Sequence, residues 1–246
     1  MQQFSKILAL GLFIGLGSVQ VQSNTTTELV NRKLLRTVDE RQVSGFSAVS
    51  VSGRHHVYIK MGNSESLRLE GDSDAINEIE AKVENGILKI RNKKQLNNLS
   101  WNNTEKVNIY IEVKSLNGLV LSGSGNLEVK GKLKVENLNN TLSGSGSITV
   151  NIDVENYNAV ISGSGQITTQ GAAKNAKITV AGSGDFDGRN LKTSNTSAKV
   201  SGSGNISIIS EKELDAVMSG SGDIRYGGNA NVNSTKSGSG RISKNF

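Results

Sequence analysis

Cysteine and proline are both missing from this 246-residue chain, and aromatic residues number only ten. Without cysteine there is no disulfide framework, no thiolate metal site, no cysteine nucleophile and no lipid-modified cysteine anchor. Proline has no N–H to give to a hydrogen-bond ladder and is tolerated only at sheet edges, so its absence suits a chain built of interior strands. Ten aromatics are too few to fill the deep core of a large globule; they predict a thin, layered one. The formal charge of +6 is not gathered in one place. Lysines interleave with acids, as in Glu128, Lys130, Lys132, Lys134 and Glu136, with no basic helix and no stacking aromatics between them. That dispersal argues against a nucleic-acid partner.

Long hydrophobic runs are also scarce, and the one at the start is short. Lys6 is followed by an apolar and small-residue run, Ile7 to Val19. It is shorter than the roughly 20 residues a membrane span needs, and it is rich in glycine. The pattern is that of a secretory signal peptide over residues 1–23, with Val21 and Ser23 placing the cut before Asn24. No second run of spanning length follows, so the mature chain is expected to carry no transmembrane segment and to be exported to the periplasm, the outer-membrane surface or the extracellular space.

What the sequence has in abundance is a repeat. Gly-Ser-Gly occurs at 123–125, 144–146, 163–165, 182–184, 202–204, 220–222 and 238–240, at intervals of 21, 19, 19, 20, 18 and 18 residues. Two positions after each triplet stands Leu127, Ile148, Ile167, Phe186, Ile206, Ile224 or Ile242. Two positions before it comes Leu121, Leu142, Ile161, Val180, Val200 or Met218, and only the last copy departs, with Lys236. The alternation continues outward on both sides, which is the period of a β-strand. One strand per repeat cannot bury its apolar face, whereas identical strands stacked about 4.8 Å apart bury it as a continuous ladder. The expected fold is therefore all-β, a parallel β-helix. An aliphatic hexad fails, since Phe186 is followed six residues on by Lys192 and Ile206 by Lys212, which favours a right-handed coil over the left-handed hexapeptide kind. Gly-Ser-Gly is expected at a corner of each rung, both glycines inward and the serines outward, where the missing Cβ allows a bend or a close approach.

Residues 24–42 are expected to be a linker and 43–246 the solenoid, with irregular rungs over 43–121 and regular rungs over 122–242. Val51-Ser52-Gly53 reads as a decayed first copy of the corner. Ser73 is positioned to cap a short helix carrying Ile76, Ile79 and Val83 on one face, ended by Asn85-Gly86. Such a helix would cover the open N-terminal end.

These residues resemble a known family. Ala-Val-Ser-Val-Ser-Gly from Ala48, Val-Tyr-Ile-Lys-Met-Gly from Val57, Leu-Arg-Leu-Glu-Gly-Asp from Leu67, the Ile79 to Ile90 segment and the serial Ser-Gly-Ser-Gly are together similar to the head GIN domain family, DUF2807, of Bacteroidetes-type exported proteins. The resemblance covers about residues 43–242. It implies a right-handed parallel β-helix at the cell envelope acting as an adhesin head, and it brings no catalytic residues. The stretch after the last rung is short and polar, and no membrane barrel of alternating strands is expected there.

Candidate chemistry is sparse. Asn126, Ser147, Gln166, Asp185, Asn205, Asp223 and Arg241 follow the triplets, and two carboxylates in seven do not make a repeated calcium site. His55 and His56, the only histidines, are strand neighbours pointing to opposite faces, which argues against joint metal ligation; both are expected on exposed rung positions. No cofactor site is expected. Asp185 and Asp187 share one strand face and are the one carboxylate pair that a polysaccharide-active enzyme on this scaffold would use, but no histidine, arginine cluster or aromatic subsite accompanies them. Trp101, in the polar loop 97–106, is a candidate contact residue. The preferred reading is a non-enzymatic binding or structural module, its ligand on the envelope, a host surface or a glycan, with self-association left open. The alternative is a glycosidase or lyase.

Overall fold

The computed structural model describes residues 37–93 and 106–245; the signal segment, most of the linker and Trp101 lie outside them. The chain forms a parallel β-helix of about seven turns. Its regular part comprises β9 (Asn126–Gly144), β10 (Ser147–Gly163), β11 (Gln166–Gly182), β12 (Asp185–Gly202) and β13 (Asn205–Gly220), each a bent strand running from one Gly-Ser-Gly corner to the next. Three short strands complete the C-terminal end, β14 (Asp223–Gly227), β15 (Asn231–Ser237) and β16 (Arg241–Lys244).

The expected inward columns are present. Val57, Leu127, Ile148, Ile167, Phe186, Ile206, Ile224 and Ile242 lie in one continuous register across the rungs. Val51, Leu121, Leu142, Ile161, Val180, Val200, Met218 and Lys236 form the second. Where repeat lengths differ, the excess is taken up away from these columns. Between β12 and β13 the register jumps from Gly188 opposite Ile208 to Lys192 opposite Ile209.

The two glycines of a corner have different duties. The first takes a left-handed conformation in every copy, φ +119° at Gly123 and +113° at Gly182, and lies at the bend, half-buried or exposed. The second is the one that points inward and is buried, as at Gly125 and Gly184. Both are also closed to a side chain by the rung beneath. A Cβ on Gly144 would lie 2.5 Å from the Gly123 carbonyl oxygen, the oxygen that accepts from Ser145 N (3.0 Å) and Gly146 N (2.9 Å). Glycine is thus required both for its positive φ and for the close approach that forms this two-to-one hydrogen bond.

The N-terminal end is irregular in order as well as in length. Strands β2 (Ala48–Gly53) and β3 (His56–Met61) flank Gly53, whose φ of +124° and doubly accepting carbonyl make it a true first corner. After β3 the chain leaves the stack, runs through β4 (Ser66–Gly71), α1 (Ser73–Asn77) and β5 (Ile79–Glu84), and lays down β6 (Ile87–Asn92) and β7 (Asn108–Val113) outside β2 and β3. It then crosses back to β8 (Gly118–Gly123), on the inner side of β2. Three antiparallel pairings finish this end: β5 on β6, β4 on β7, and β1 (Thr37–Arg41) on β4.

The helix is shorter than expected. Its N-cap is Asp72, accepting from Asp74 N (2.9 Å) and Ala75 N (3.2 Å), one residue before Ser73. It ends before Ile79, because Ile79, Ala81 and Val83 alternate with Glu80, Lys82 and Glu84 at the strand period and pair with β6. Asn85 and Gly86, at φ 52° and 75°, form the tight hairpin turn between β5 and β6 and do not terminate the helix. Arg41 ties this end together. Its guanidinium donates to the carbonyls of Ile79 (2.7 Å) and Ile76 (3.2 Å), joining β1 to the end of α1 and the start of β5.

Candidate contact surface

On β3, Val57 and Ile59 point inward, so Tyr58 and Lys60 stand on the outer face. The same alternation on β7 turns Tyr110 and Glu112 outward, and on β4 it turns out Ser66, Arg68 and Glu70. Register sets Tyr58 opposite Tyr110 and Tyr110 opposite Arg68. The two phenol rings stack with centroids 5.4 Å apart and planes 22° from parallel. Arg68 lies over the far face of the pair, 4.7 Å from the Tyr110 centroid, and Lys130 of β9 lies 5.2 Å from that of Tyr58. The result is a column of cation, ring, ring and cation, which fixes all four side chains before anything binds.

A second outward row, Ser66, Glu112 and Lys60, runs beside this column in register. Between the rows lies an open furrow of about 660 Å³, within the usual range for a ligand site, bounded at its outer end by Glu40 and Gln42. Three carboxylates in or beside it are engaged. Lys60 Nζ sits 2.6 Å from Glu112, Arg68 2.6 Å from Glu70, and Lys130 2.6 Å from Glu128. Hydrogen bonds from Lys60 and then Ser64 hold the Glu112 carboxyl down at about 2, so it stays ionised and is a poor proton donor. The Tyr110 hydroxyl is shifted the other way, by burial first and by neighbouring Glu70 second. Committed carboxylates of this kind suit recognition better than general acid catalysis.

The carboxylates singled out in the sequence lie elsewhere. Asp187 stands in the same outward row as Tyr58 and Glu128, three rungs further on, roughly 14 Å from Glu128 at the strand spacing. It pairs with Arg189 at 2.6 Å, whose hydrogen bond lowers its pKa. Asp185 is exposed and accepts from Asn205 Nδ2 at 2.8 Å. Each is therefore engaged by its own neighbour. His56 is half-buried on the outer face, but His55 is not on an exposed position: it is 4% exposed, in the slot of the corner's second glycine, with Nε2 3.0 Å from Asn92 Oδ1. Burial lowers its pKa, so it is held neutral. Among the described residues no three potential metal ligands cluster, and no helix is long and apolar enough to cross a membrane.

The tyrosine pair was hidden because β7 reaches β3 only through the out-of-order rung. Each half had a visible signal, Val57-Tyr58-Ile59 and Ile109-Tyr110-Ile111, with an aromatic on the outward beat. A second outward feature was also missed. Asn137, Asn156, Asn175 and Asn195, each seven residues before a corner glycine, form an amide ladder at 2.9, 3.0 and 2.9 Å.

Comparison with known proteins agrees with this architecture. The family described as "Putative auto-transporter adhesin, head GIN domain" matches residues 45–230. Among solved structures, a "putative adhesin" from Bacteroides fragilis superposes with a TM-score of 0.79 at 20% identity, covering 87% of this chain and 99% of its own. A "putative lipid binding protein" from Parabacteroides distasonis gives 0.69 at 24%, covering 86% and 97%. A "putative adhesin" from Parabacteroides merdae gives 0.68 at 19%, covering 86% and 96%. At these identities the likeness is one of fold. No curated protein matches.

Proposed function

Matched over residues 45–230, this chain belongs to the family described as "Putative auto-transporter adhesin, head GIN domain", and from that membership we propose that it works outside the cytoplasm as a non-enzymatic contact module. Residues 1–23 direct export and are removed before Asn24. The solenoid serves as a stiff body, and the furrow beside Tyr58 and Tyr110 is where it grips its ligand. One observation carries the reading: two of only four tyrosines in the chain are stacked on the outer face and clamped between Arg68 and Lys130. Tyrosine and arginine held rigid beside a furrow are the side chains that dominate binding energy at contact surfaces.

The test immobilises the mature chain and passes over it host matrix proteins, host and bacterial polysaccharides, and lipid vesicles. Tyr58→Ala with Tyr110→Ala is expected to weaken whatever binds at least tenfold without lowering the melting temperature by more than a few degrees. Binding indifferent to that double substitution would remove the furrow from the reading. Mass spectrometry of the exported protein is expected to find an N-terminus close to Asn24, and an intact Met1 would remove export by this route.

A further inference from the structure

The two ends of the solenoid are both unfinished sheets, and they match. One sheet path runs without a break from β1, through β4, β7, β3 and β9, to β16. The other runs from β5, through β6, β2, β8 and β9, to β15. Each path therefore presents a free edge at both ends of the molecule among the described residues. The facing edges are of similar length. β1 has five residues and β16 four; β5 has six and β15 seven.

Charge distinguishes the ends. Residues 37–41 and 72–84, which make up β1, α1 and β5, hold seven acidic side chains against two basic ones. Even with Lys89 and Arg91 of β6 added, the acidic excess is three. At the other end, residues 228–245 hold Lys236, Arg241 and Lys244 and no acid at all. Exposed apolar surface falls at the same two places. Of the three large hydrophobic side chains exposed among the described residues, Val38 (51%) is on β1 and Val232 (38%) is on β15.

We propose that this chain assembles end to end with further copies of itself, the basic last turn of one copy seating on the acidic cap of the next, with β16 beside β1 and β15 beside β5. Strand β5 runs against the rung strands, so its pairing with β15 is antiparallel. Strand β1 is antiparallel to β4, which is itself antiparallel to β7, so it runs with the rungs and its pairing with β16 is parallel, like that of the rungs themselves. Free edges accept either geometry. Charge also sets the polarity. Two basic ends repel, as do two acidic ends, so only the head-to-tail contact is attractive. Such a contact joins different surfaces and does not close on itself, which leads to open chains of copies. Lysines on free edges otherwise serve to keep strands apart; here they meet carboxylates when the partner is the opposite end of the same protein. The proposal does not rest on the furrow, which lies on the outer face and meets this end only at residues 40–42.

Sedimentation of the purified protein over a range of concentrations tests it. At low salt the expected result is a series of dimers, trimers and longer species that shortens as salt rises. Lys236→Glu with Lys244→Glu should leave only monomer, and so should Glu40→Lys with Asp74→Lys; all four positions are exposed, so both variants are expected to melt as the parent does. Mixing the two variants restores opposite charges at every junction and should bring the series back. A parent that sediments as one monomer at every concentration and salt would overturn the proposal. So would a dimer that grows no further, or association unaffected by either pair of substitutions.

Discussion

At the N-terminal end the hydrophobic columns finish under a lid, with Leu67, Leu69, Ile76 and Ile79 all essentially buried beneath β1, β5 and α1. At the C-terminal end the columns run out into solvent. There Leu214 is followed by Val232, Ala216 by Ser234 and Met218 by Lys236, on a strand exposed at every position. The first end therefore needed extra chain, about 60 residues folded out of order, whereas the second was finished by changing the side chains of one more repeat. A stack of identical rungs supplies each rung with two neighbours except the last, and an end rung survives either by being covered or by having little to bury.

Substitutions at equivalent columns would sharpen this contrast most. Ile206 is fully buried in mid-stack, and Ile206→Asp is expected to destabilise by about 4 kcal/mol or more, since an unpaired carboxylate enters the column. The same change at Ile242, half-buried on β16, should cost under about 1 kcal/mol. Equal losses in denaturant melts would show that the last rung is as buried as the rest.

Glycines give the next largest difference. Gly182→Ala meets both a φ of +113° and a backbone oxygen 2.6 Å from the new Cβ, for an expected loss of about 3 kcal/mol. Gly45, with φ +76° and nothing within 4 Å of a Cβ, should lose only about 1 kcal/mol on the same change. Similar losses would mean that dihedral strain, and not the stacked carbonyl, explains the corner.

Removing the latch at the lid is a smaller perturbation. Arg41→Ala deletes two hydrogen bonds to carbonyls of Ile76 and Ile79 and is expected to cost about 1–2 kcal/mol. Hydrogen exchange should quicken in β1 and α1 and stay unchanged in β11 and β12. Faster exchange throughout would show that lid and stack unfold together.

The smallest expected effect concerns activity. Asp185→Ala with Asp187→Ala should change no glycan cleavage, because each carboxylate is already held by Arg189 or Asn205. The assay measures new reducing ends or unsaturated products from a polysaccharide panel. Turnover by the parent that vanishes in the variant would reverse the non-enzymatic reading.

The sequence made the repeat stack legible because each rung's neighbour is its own copy 18 to 21 residues away, so phase alone gives the register from Leu127 to Ile242. It even pointed to Gly53 as a corner. The lid was not legible in the same way. Nothing local says that β6 pairs with β2, or that Ile79 and Val83 obey the strand period when their spacing from Ile76 also fits a helix. The tyrosine column depends on that same crossing. His55 was misplaced because a corner position normally closed to any side chain has room in the one copy whose outer neighbour is not a glycine corner.

The hydrogen bond that each corner carbonyl from Gly53 to Gly220 accepts from the next corner, doubled at Gly53, Gly123 and Gly182, has a consequence for length. Since it locks one turn to the next without reference to any other part of the molecule, the stack behaves as a ruler marked in single turns. Duplicating one repeat should lengthen the body by about 4.8 Å and deleting one should shorten it equally. The reach of the contact surface is thereby adjustable by recombination between repeats, with no new interaction to be invented.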